Sequence, residues 1–268
     1  MTYKEIAAEL AAKESYSFED LVSVVEVLRS EVGCPWDREQ DHHSIRDDII
    51  EETYEVIEAI DTDNRELLRE ELGDVMLQVV FHARIEEEQG SFSIDDVAND
   101  ICVKLIHRHP HVFGEIKVDT SEQVLVNWEK IKSEEKSRDT VTAKLRSIPP
   151  MLPALMRAAK VGKKASCFDF ENAEAVMDKL AEEMVEVSEA MEEQNKDAIE
   201  EEIGDLLLTV TSLCRKLGVK PEDALNRATD KFIDRFELIE NELISEDKDI
   251  TSMSMPELDA IWDRIKHK

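Results

Sequence analysis

Residues 51–74 read EETYEVIEAIDTDNRELLREELGD, and residues 182–205 read EEMVEVSEAMEEQNKDAIEEEIGD. The second stretch is the first displaced by 131 positions: Glu51, Glu52, Glu55, Glu58, Glu71, Gly73 and Asp74 return as Glu182, Glu183, Glu186, Glu189, Glu202, Gly204 and Asp205. Each stretch carries apolar residues at helical intervals on both sides of a short polar centre. The pattern predicts two helices joined by a tight turn, at 61–64 in the first copy and 193–196 in the second. Glu55 and Glu71 are equidistant from residue 63, and so are Glu52 and Asp74; residue 194 stands in the same relation to Glu186 and Glu202, and to Glu183 and Asp205. Helices reversing at those points set each pair face to face. Three-residue spacing keeps both pairs on one face, roughly 12 Å from the turn at 1.5 Å per residue.

Working outward, the first half predicts helices over 18–32, 44–60, 65–88, 93–107 and 120–132. Gly33, Cys34 and Pro35 end the first of them, and Gly90 closes the third. Ser93 is placed as an N-cap, and Thr120 with Gln123 has the spacing of a capping box. His109-Pro110-His111 interrupts the chain. The second half repeats the plan with helices over 173–192, 197–217, 221–241 and 254–266. Residues 133–147 are charged without a core stripe, and Pro149, Pro150 and Pro153 follow. The reading is an all-α tandem repeat of two helical bundles, each built around an acidic αα-hairpin: a domain over 1–135, a linker over 136–152 and a domain over 153–268. A length of 268 residues suits two cores. Two further blocks repeat, Lys104 and Arg108 as Lys231 and Arg235, and the Trp128 segment WEKIK as the Trp262 segment WDRIK.

The net charge is −30. That disfavours nucleic acid polymers and anionic membranes as partners, but not nucleotides, because a bound cation reverses the local field. Cys34, Cys102, Cys167 and Cys214 form no C-x-x-C pair, and their wide spacing reads as free thiols in a reducing compartment. The first residues lack the apolar core of a signal peptide, and no apolar run approaches the roughly 20 residues of a membrane helix. A cytoplasmic protein is expected.

Acids at helical spacing are usually a solvated face. Here the two-helix symmetry, its recurrence, and the apolar neighbours Ile50, Val56, Leu72, Val75 and Met76 favour a cluster. Carboxylates packed together need a counter-charge. Mg²⁺ is the natural one, since it takes oxygen ligands and keeps positions for water and phosphate; Mn²⁺ also fits. A di-iron site would need E-x-x-H on two facing helices, and Glu39 with His42 supplies it once only. Lys231 and Arg235, one turn apart, can meet phosphate oxygens. Glu51 and Glu182 lie one turn before Glu55 and Glu186, where either could orient or deprotonate an attacking water. Trp128 and Trp262 read equally as base-stacking or core residues; His107, His109 and His111 alternate as zinc ligands can, but with no fourth ligand apparent they read as structural or hydrogen-bonding residues.

The ordered set E-E-x-x-E, then E-x-x-D, resembles the all-α nucleoside triphosphate pyrophosphohydrolases. With Cys34-Pro35-Trp36-Asp37, Glu70-Glu71-Leu72-Gly73-Asp74 and the segment RHPHVFG from Arg108 to Gly114, the chain is similar to the tandem-domain bacterial MazG proteins over nearly its whole length. The resemblance implies hydrolysis of a nucleoside triphosphate to the monophosphate and pyrophosphate, with Mg²⁺ as cofactor and a homodimer as the working unit. It implies metal ligation by Glu52, Glu55, Glu71 and Asp74, and by Glu183, Glu186, Glu202 and Asp205. It links Lys231, Arg235 and Trp262 to nucleotide binding, with Lys104, Arg108 and Trp128 as first-half counterparts. Phe170 stands where the family often has Trp, which removes an indole N–H. A metal-binding regulatory scaffold and a narrower dUTP-type pyrophosphatase are the alternatives.

Overall fold

A computed structural model describes residues 1–135, 140–246 and 248–266; residues 136–139 of the expected linker lie outside it. Among the described residues the chain is helical, with no strand. It divides into two compact units, Met1–Lys132 and Ser133–Lys268.

The first unit contains α1 (Tyr3–Ala11), α2 (Phe18–Arg29), α3 (Pro35–Glu39), α4 (Asp48–Asp61), α5 (Arg65–Glu88), α6 (Ile94–Arg108), α7 (Pro110–Phe113) and most of α8 (Ser121–Glu135). Helix α1 was not expected from the apolar pattern, yet Thr2 and Glu5 close a capping box at its start. Helix α5 is central. It packs along α4 on one side and against α2 and α6 on others. Val25, Ile45, Val80, Phe81 and Ile85 form the core, with Leu21, Leu77 and Ile94 against it. Arg29 locks this core from its edge. Its guanidinium donates to Glu88 at 3.1 and 2.9 Å and to the carbonyls of Asp37 and Gln40 at 2.6 and 3.0 Å, and it lies over the Phe81 ring. One buried cation thereby ties α2, α3 and α5 together. At Gly33 a Cβ would sit 2.1 Å from the Val27 carbonyl oxygen, so the exit from α2 admits only glycine.

The second unit contains α9 (Val141–Arg146), α10 (Ala154–Lys164), α11 (Ala173–Glu192), α12 (Lys196–Lys216), α13 (Pro221–Ser245) and α14 (Met255–Lys266), with a 3₁₀ turn over Ile250–Ser252. Helix α11 packs along α12, and α10 packs against α12 and α13. Ile239, Leu243, Ile261 and Ile265 form a core between α13 and α14. Asp169 is clamped by Arg215 at 2.6 and 2.5 Å and by Lys216 at 2.9 Å. The Arg215 guanidinium, first, and Lys216 hold its carboxyl well below the usual range. Helix α9 lies within the expected linker, 136–152; Thr140 caps it by accepting from the Ala143 N–H.

The two hairpins reverse in the same way. Asp63 and Gln194, the residues on which the carboxylate pairs are centred, have φ of 51° and 53°. The N–H of Asp63 donates to Ile60 and that of Asn64 to Ala59; Gln194 donates to Met191 and Asn195 to Ala190. This is a Schellman motif with a non-glycine residue in the left-handed position. The next residue, Asn64 or Asn195, caps the returning helix by accepting from Leu67 or Ala198. Ala59 and Ala190, at the base of each turn, are 1% and 6% exposed. Gly90 and Gly218, with φ of 73° and 69°, end α5 and α12 as the sequence suggested. Several boundaries differ: the helix expected to reach 32 ends at Arg29, those expected to end at 132 and 241 run to Glu135 and Ser245, and the helix expected from residue 44 begins at Asp48, because residues 41–47 turn instead and bury Ile45 in the core.

Each Asn cap satisfies a backbone N–H that alanine would leave without a partner. Asn64→Ala and Asn195→Ala are each expected to lower stability by about 1 kcal/mol, read as a lower urea midpoint at unchanged slope.

Candidate functional site

In the first unit α4 presents Glu51, Glu52 and Glu55, and α5 presents Glu71 and Asp74. One carboxylate oxygen from each of Glu52, Glu55 and Glu71 lies within 4.8 Å of the others. Glu71 faces Glu55 across the cluster, placed so that a protonated Glu71 carboxyl can donate to it. Burial, that donation, and the charges of Glu55, Glu70 and Asp74 push the Glu71 carboxyl up to about 7. Glu52 is also raised, by burial and then by Asp74, Glu55, Glu51 and Asp48. Asp74 stands outside the tight trio, but its charge is felt by two of its members. Glu51 is exposed.

The second unit repeats the trio with Glu183, Glu186 and Glu202, again within 4.8 Å. Glu183 is 4% exposed. Glu202 is raised by burial and by Glu186, Glu201, Asp205 and Glu183. One residue that the sequence reading missed sits here. Lys179, one turn before Glu183 on α11, places its Nζ 2.7 Å from Glu182, 3.1 Å from Glu183 and 3.7 Å from Glu186. Glu182 first, and then Glu183, raise its pKa. The position in the same register of the first copy is Asp48. The signal was a charge reversal within the repeat, just upstream of the stretch on which the repeat was defined. The first cluster therefore has a further acid where the second has a cation.

The basic residues gather elsewhere. Arg235 lies over the Trp262 ring at 5.7 Å, and Phe232 lies 5.2 Å from Trp262. In the first unit Arg108 and Lys132 lie over Trp128 at 5.4 and 4.4 Å. Each repeat thus unites its Arg with its Trp. Lys104 is exposed on α6, one turn before Arg108. Among the described residues no ion pair joins Lys231 or Arg235 to the second carboxylate trio. His109 donates its Nδ1–H to the Leu105 carbonyl at 2.6 Å, which gives it a local structural role. The four cysteines are unpaired.

The donor chemistry fits a hard divalent cation. Three carboxylate oxygens converge in each cluster, and the acids are raised first by burial and then by mutual repulsion, which a cation would relieve. The sign of the pH effect follows. Folded Glu71 holds its proton up to about 7, against 4.5 when unperturbed. Its contribution is therefore complete below the lower value and is lost as pH rises through the upper one. Metal-free protein is expected to melt higher at about pH 5.5 than at about pH 8. Adding Mg²⁺ or Mn²⁺ should raise the melting temperature chiefly at the higher pH, and Glu71→Gln should flatten the dependence, as thermal unfolding would show.

Residues 40–113 and 157–238 each match the family model described as MazG nucleotide pyrophosphohydrolase domain. A protein of Thermotoga maritima named nucleoside triphosphate pyrophosphohydrolase/pyrophosphatase MazG is 43% identical over 251 residues, covering 93% of this chain and 95% of its own. A nucleoside triphosphate pyrophosphohydrolase of Escherichia coli K12 is 40% identical over 255 residues, covering 92% and 96%. YabN of Bacillus subtilis, named as uncharacterized, is 42% identical over 94% of this chain and 52% of its own length. Both hairpins fall within the matched segments, and likeness of this degree extends over the whole tandem arrangement: the chain belongs to the MazG nucleotide pyrophosphohydrolase family.

Proposed function

We propose that this protein hydrolyses nucleoside triphosphates to the monophosphate and pyrophosphate, with Mg²⁺ as the cofactor and Mn²⁺ able to replace it. The working domains are 1–135 and 153–268, joined by 136–152. The observation that carries the reading is the convergence of Glu183, Glu186 and Glu202 beneath Lys179. These acids and Asp205 would hold a divalent cation, which would supply charge neutralisation and polarisation of a phosphoryl oxygen.

The chain's own groups do the rest. The Lys179 ammonium, 2.7 Å from Glu182 and 3.1 Å from Glu183, is the cation at this cluster that would face the triphosphate. Glu182, paired to Lys179 at 2.7 Å, orients the water and takes its proton. The water oxygen bonds to the α-phosphorus, the bond from that phosphorus to the bridging oxygen breaks, and pyrophosphate leaves with the electron pair. Lys231 and Arg235 hold phosphate oxygens, and Trp262 offers a stacking face for the base. Glu52, Glu55, Glu71, Asp74, Glu51, Lys104, Arg108 and Trp128 are the first-half counterparts.

A homodimer is the working unit. The hairpins expose apolar residues within one chain, among them Tyr54, Leu72 and Met76, and Met184, Ile203 and Leu207. Apolar faces of this kind are covered by association. Association would also offer Lys231 and Arg235 a carboxylate cluster of the second copy; among the described residues neither forms an ion pair with the trio of its own unit. For the first half, Asp48 in place of Lys179 favours the scaffold reading: it can gather cations but has no ammonium to receive the phosphates.

Pyrophosphate release from a panel of nucleoside triphosphates with Mg²⁺ tests the reading. Glu183→Gln is expected to reduce it at least 100-fold, and Lys179→Met on the order of tenfold to 100-fold in kcat/KM, whereas Glu52→Gln should retain most of the activity. No release above blank at high enzyme, or equal losses in Glu52→Gln and Glu183→Gln, would overturn the enzyme reading or its assignment to the second half, respectively.

A further inference from the structure

The first unit contains a hydrogen-bonded chain of titratable groups that the cluster does not use. His42 lies in the turn ahead of α4, and His82 and Glu86 lie one turn apart on α5. The two imidazoles meet Nδ1 to Nδ1 at 2.8 Å, and His42 Nε2 lies 2.7 Å from Glu86 Oε1. The ring planes differ by 12° with centroids 5.1 Å apart. Those values together describe rings lying edge to edge in one plane, with the nitrogens facing each other. Metal bonds to nitrogen of about 2.0 Å on each side do not fit into that gap; one proton does.

Proton counting constrains what the chain can hold. Glu86 requires a proton on His42 Nε2, and the facing Nδ1 atoms require one proton between them. With both rings neutral, His82 donates to His42. One added proton is accommodated, because doubly protonated His42 donates to both Glu86 and His82. A second added proton puts N–H against N–H and the contact breaks.

The second half lacks the arrangement. In the same register it has Ala173, Leu213 and Leu217. There α11 begins at Ala173, capped by Asn172. In the first half the helix starts only at Asp48, and Asp47 provides no side-chain cap. Residues 41–47 are instead folded by Asp41, which accepts from the N–H groups of His43 and Ser44 at 2.8 and 2.9 Å, and by Ile45 in the core.

We propose that the proton shared by His42 and His82 is a latch that keeps residues 41–47 off the helical path, sets where α4 begins, and so positions Asp48, Glu51 and Glu52 in the first acidic cluster. His42 and His82 are positioning residues. Their effect on metal affinity rests on the reading of that cluster as a metal site; their effect on the backbone does not.

The surrounding charges have other partners. Asp41 and His43 belong to the turn itself. On the α2 side Glu26 faces Arg84, and Arg29 is held by Glu88. On α5 Arg84 also holds Glu87 and Glu88. Asp96 of α6 caps Ser93. Burial, and then the charge of His42, lower the His82 pKa. His42 and Ser91 lower that of Glu86. The sign is therefore definite. The latch is closed above the ordinary histidine range and weakens as pH falls below it, since opening frees His82 to take a proton.

Hydrogen exchange on the full chain, corrected for intrinsic rates, tests this. Protection of amides in 43–51 is expected to fall on the order of tenfold between about pH 7.5 and about pH 5.5. His82→Leu, which copies the second half, should show the low protection at both pH values. His82→Gln can still bond to His42 and should restore protection without the pH dependence. Protection in His82→Leu equal to that of the unsubstituted protein, or a pH dependence that persists in it, would overturn the latch. A parallel titration with Mn²⁺ in a Glu183→Gln background should show about tenfold weaker binding when His82→Leu is added. Unchanged Mn²⁺ affinity despite lost protection would overturn the positioning role. Absence of Mn²⁺ binding to the first cluster in the His82-containing protein would overturn the metal reading, with the exchange result still deciding the latch.

Discussion

Mutual repulsion among carboxylates is the constraint around which both units are organised. Three acids within 4.8 Å, drawn from two helices, cannot all be charged at little cost in partly buried surroundings. Each copy resolves the conflict differently. In the first, burial and the neighbouring acids push the Glu71 carboxyl up to about 7, so that it holds a proton more readily than a free carboxyl. The second recruits an ammonium from its own helix. Both solutions leave the acids where an added cation would find them, because a proton and a lysine are both displaceable.

That difference also separates the repeats in character. Where α11 has Lys179, α4 has Asp48, and the helix carrying Asp48 starts several residues later than its counterpart. The start of α4 is tied to α5 by imidazoles, whereas α11 is started by an ordinary asparagine cap. Duplication has thus preserved the acids facing each other while the way each acidic helix begins has diverged. A site that must receive a polyanion gains from a movable cation at its rim, while a site that gathers cations gains from a further acid.

Much of this was legible in the residues. The helical class followed from periodicity, and the reversal points followed from the symmetry of the acids about residues 63 and 194, which are the left-handed residues of the two turns. The unread parts have physical causes. Short helices such as α1 and α9 carry too few turns for an apolar stripe, and are instead defined by caps at Thr2 and Thr140. The late start of α4 depends on His82 and Glu86, some forty residues away, and local periodicity has no access to such a contact. Lys179 escaped notice because attention to what repeats passes over what does not. Arg29 looks like an ordinary last-turn cation in the sequence; only the fold reveals that it joins three helices.

The turns have a role out of proportion to their size. Neither Asp63 nor Gln194 bears on the chemistry, yet each fixes the rotational phase between an outgoing and a returning helix. Adding or deleting one residue there would turn the returning helix by about 100° about its axis, swinging Glu71 or Glu202 away from its opposite number while both helices stayed intact. Loop length at these two points is therefore geared to the carboxylates, and a hairpin of this kind can drift in composition at its tip far more freely than in length.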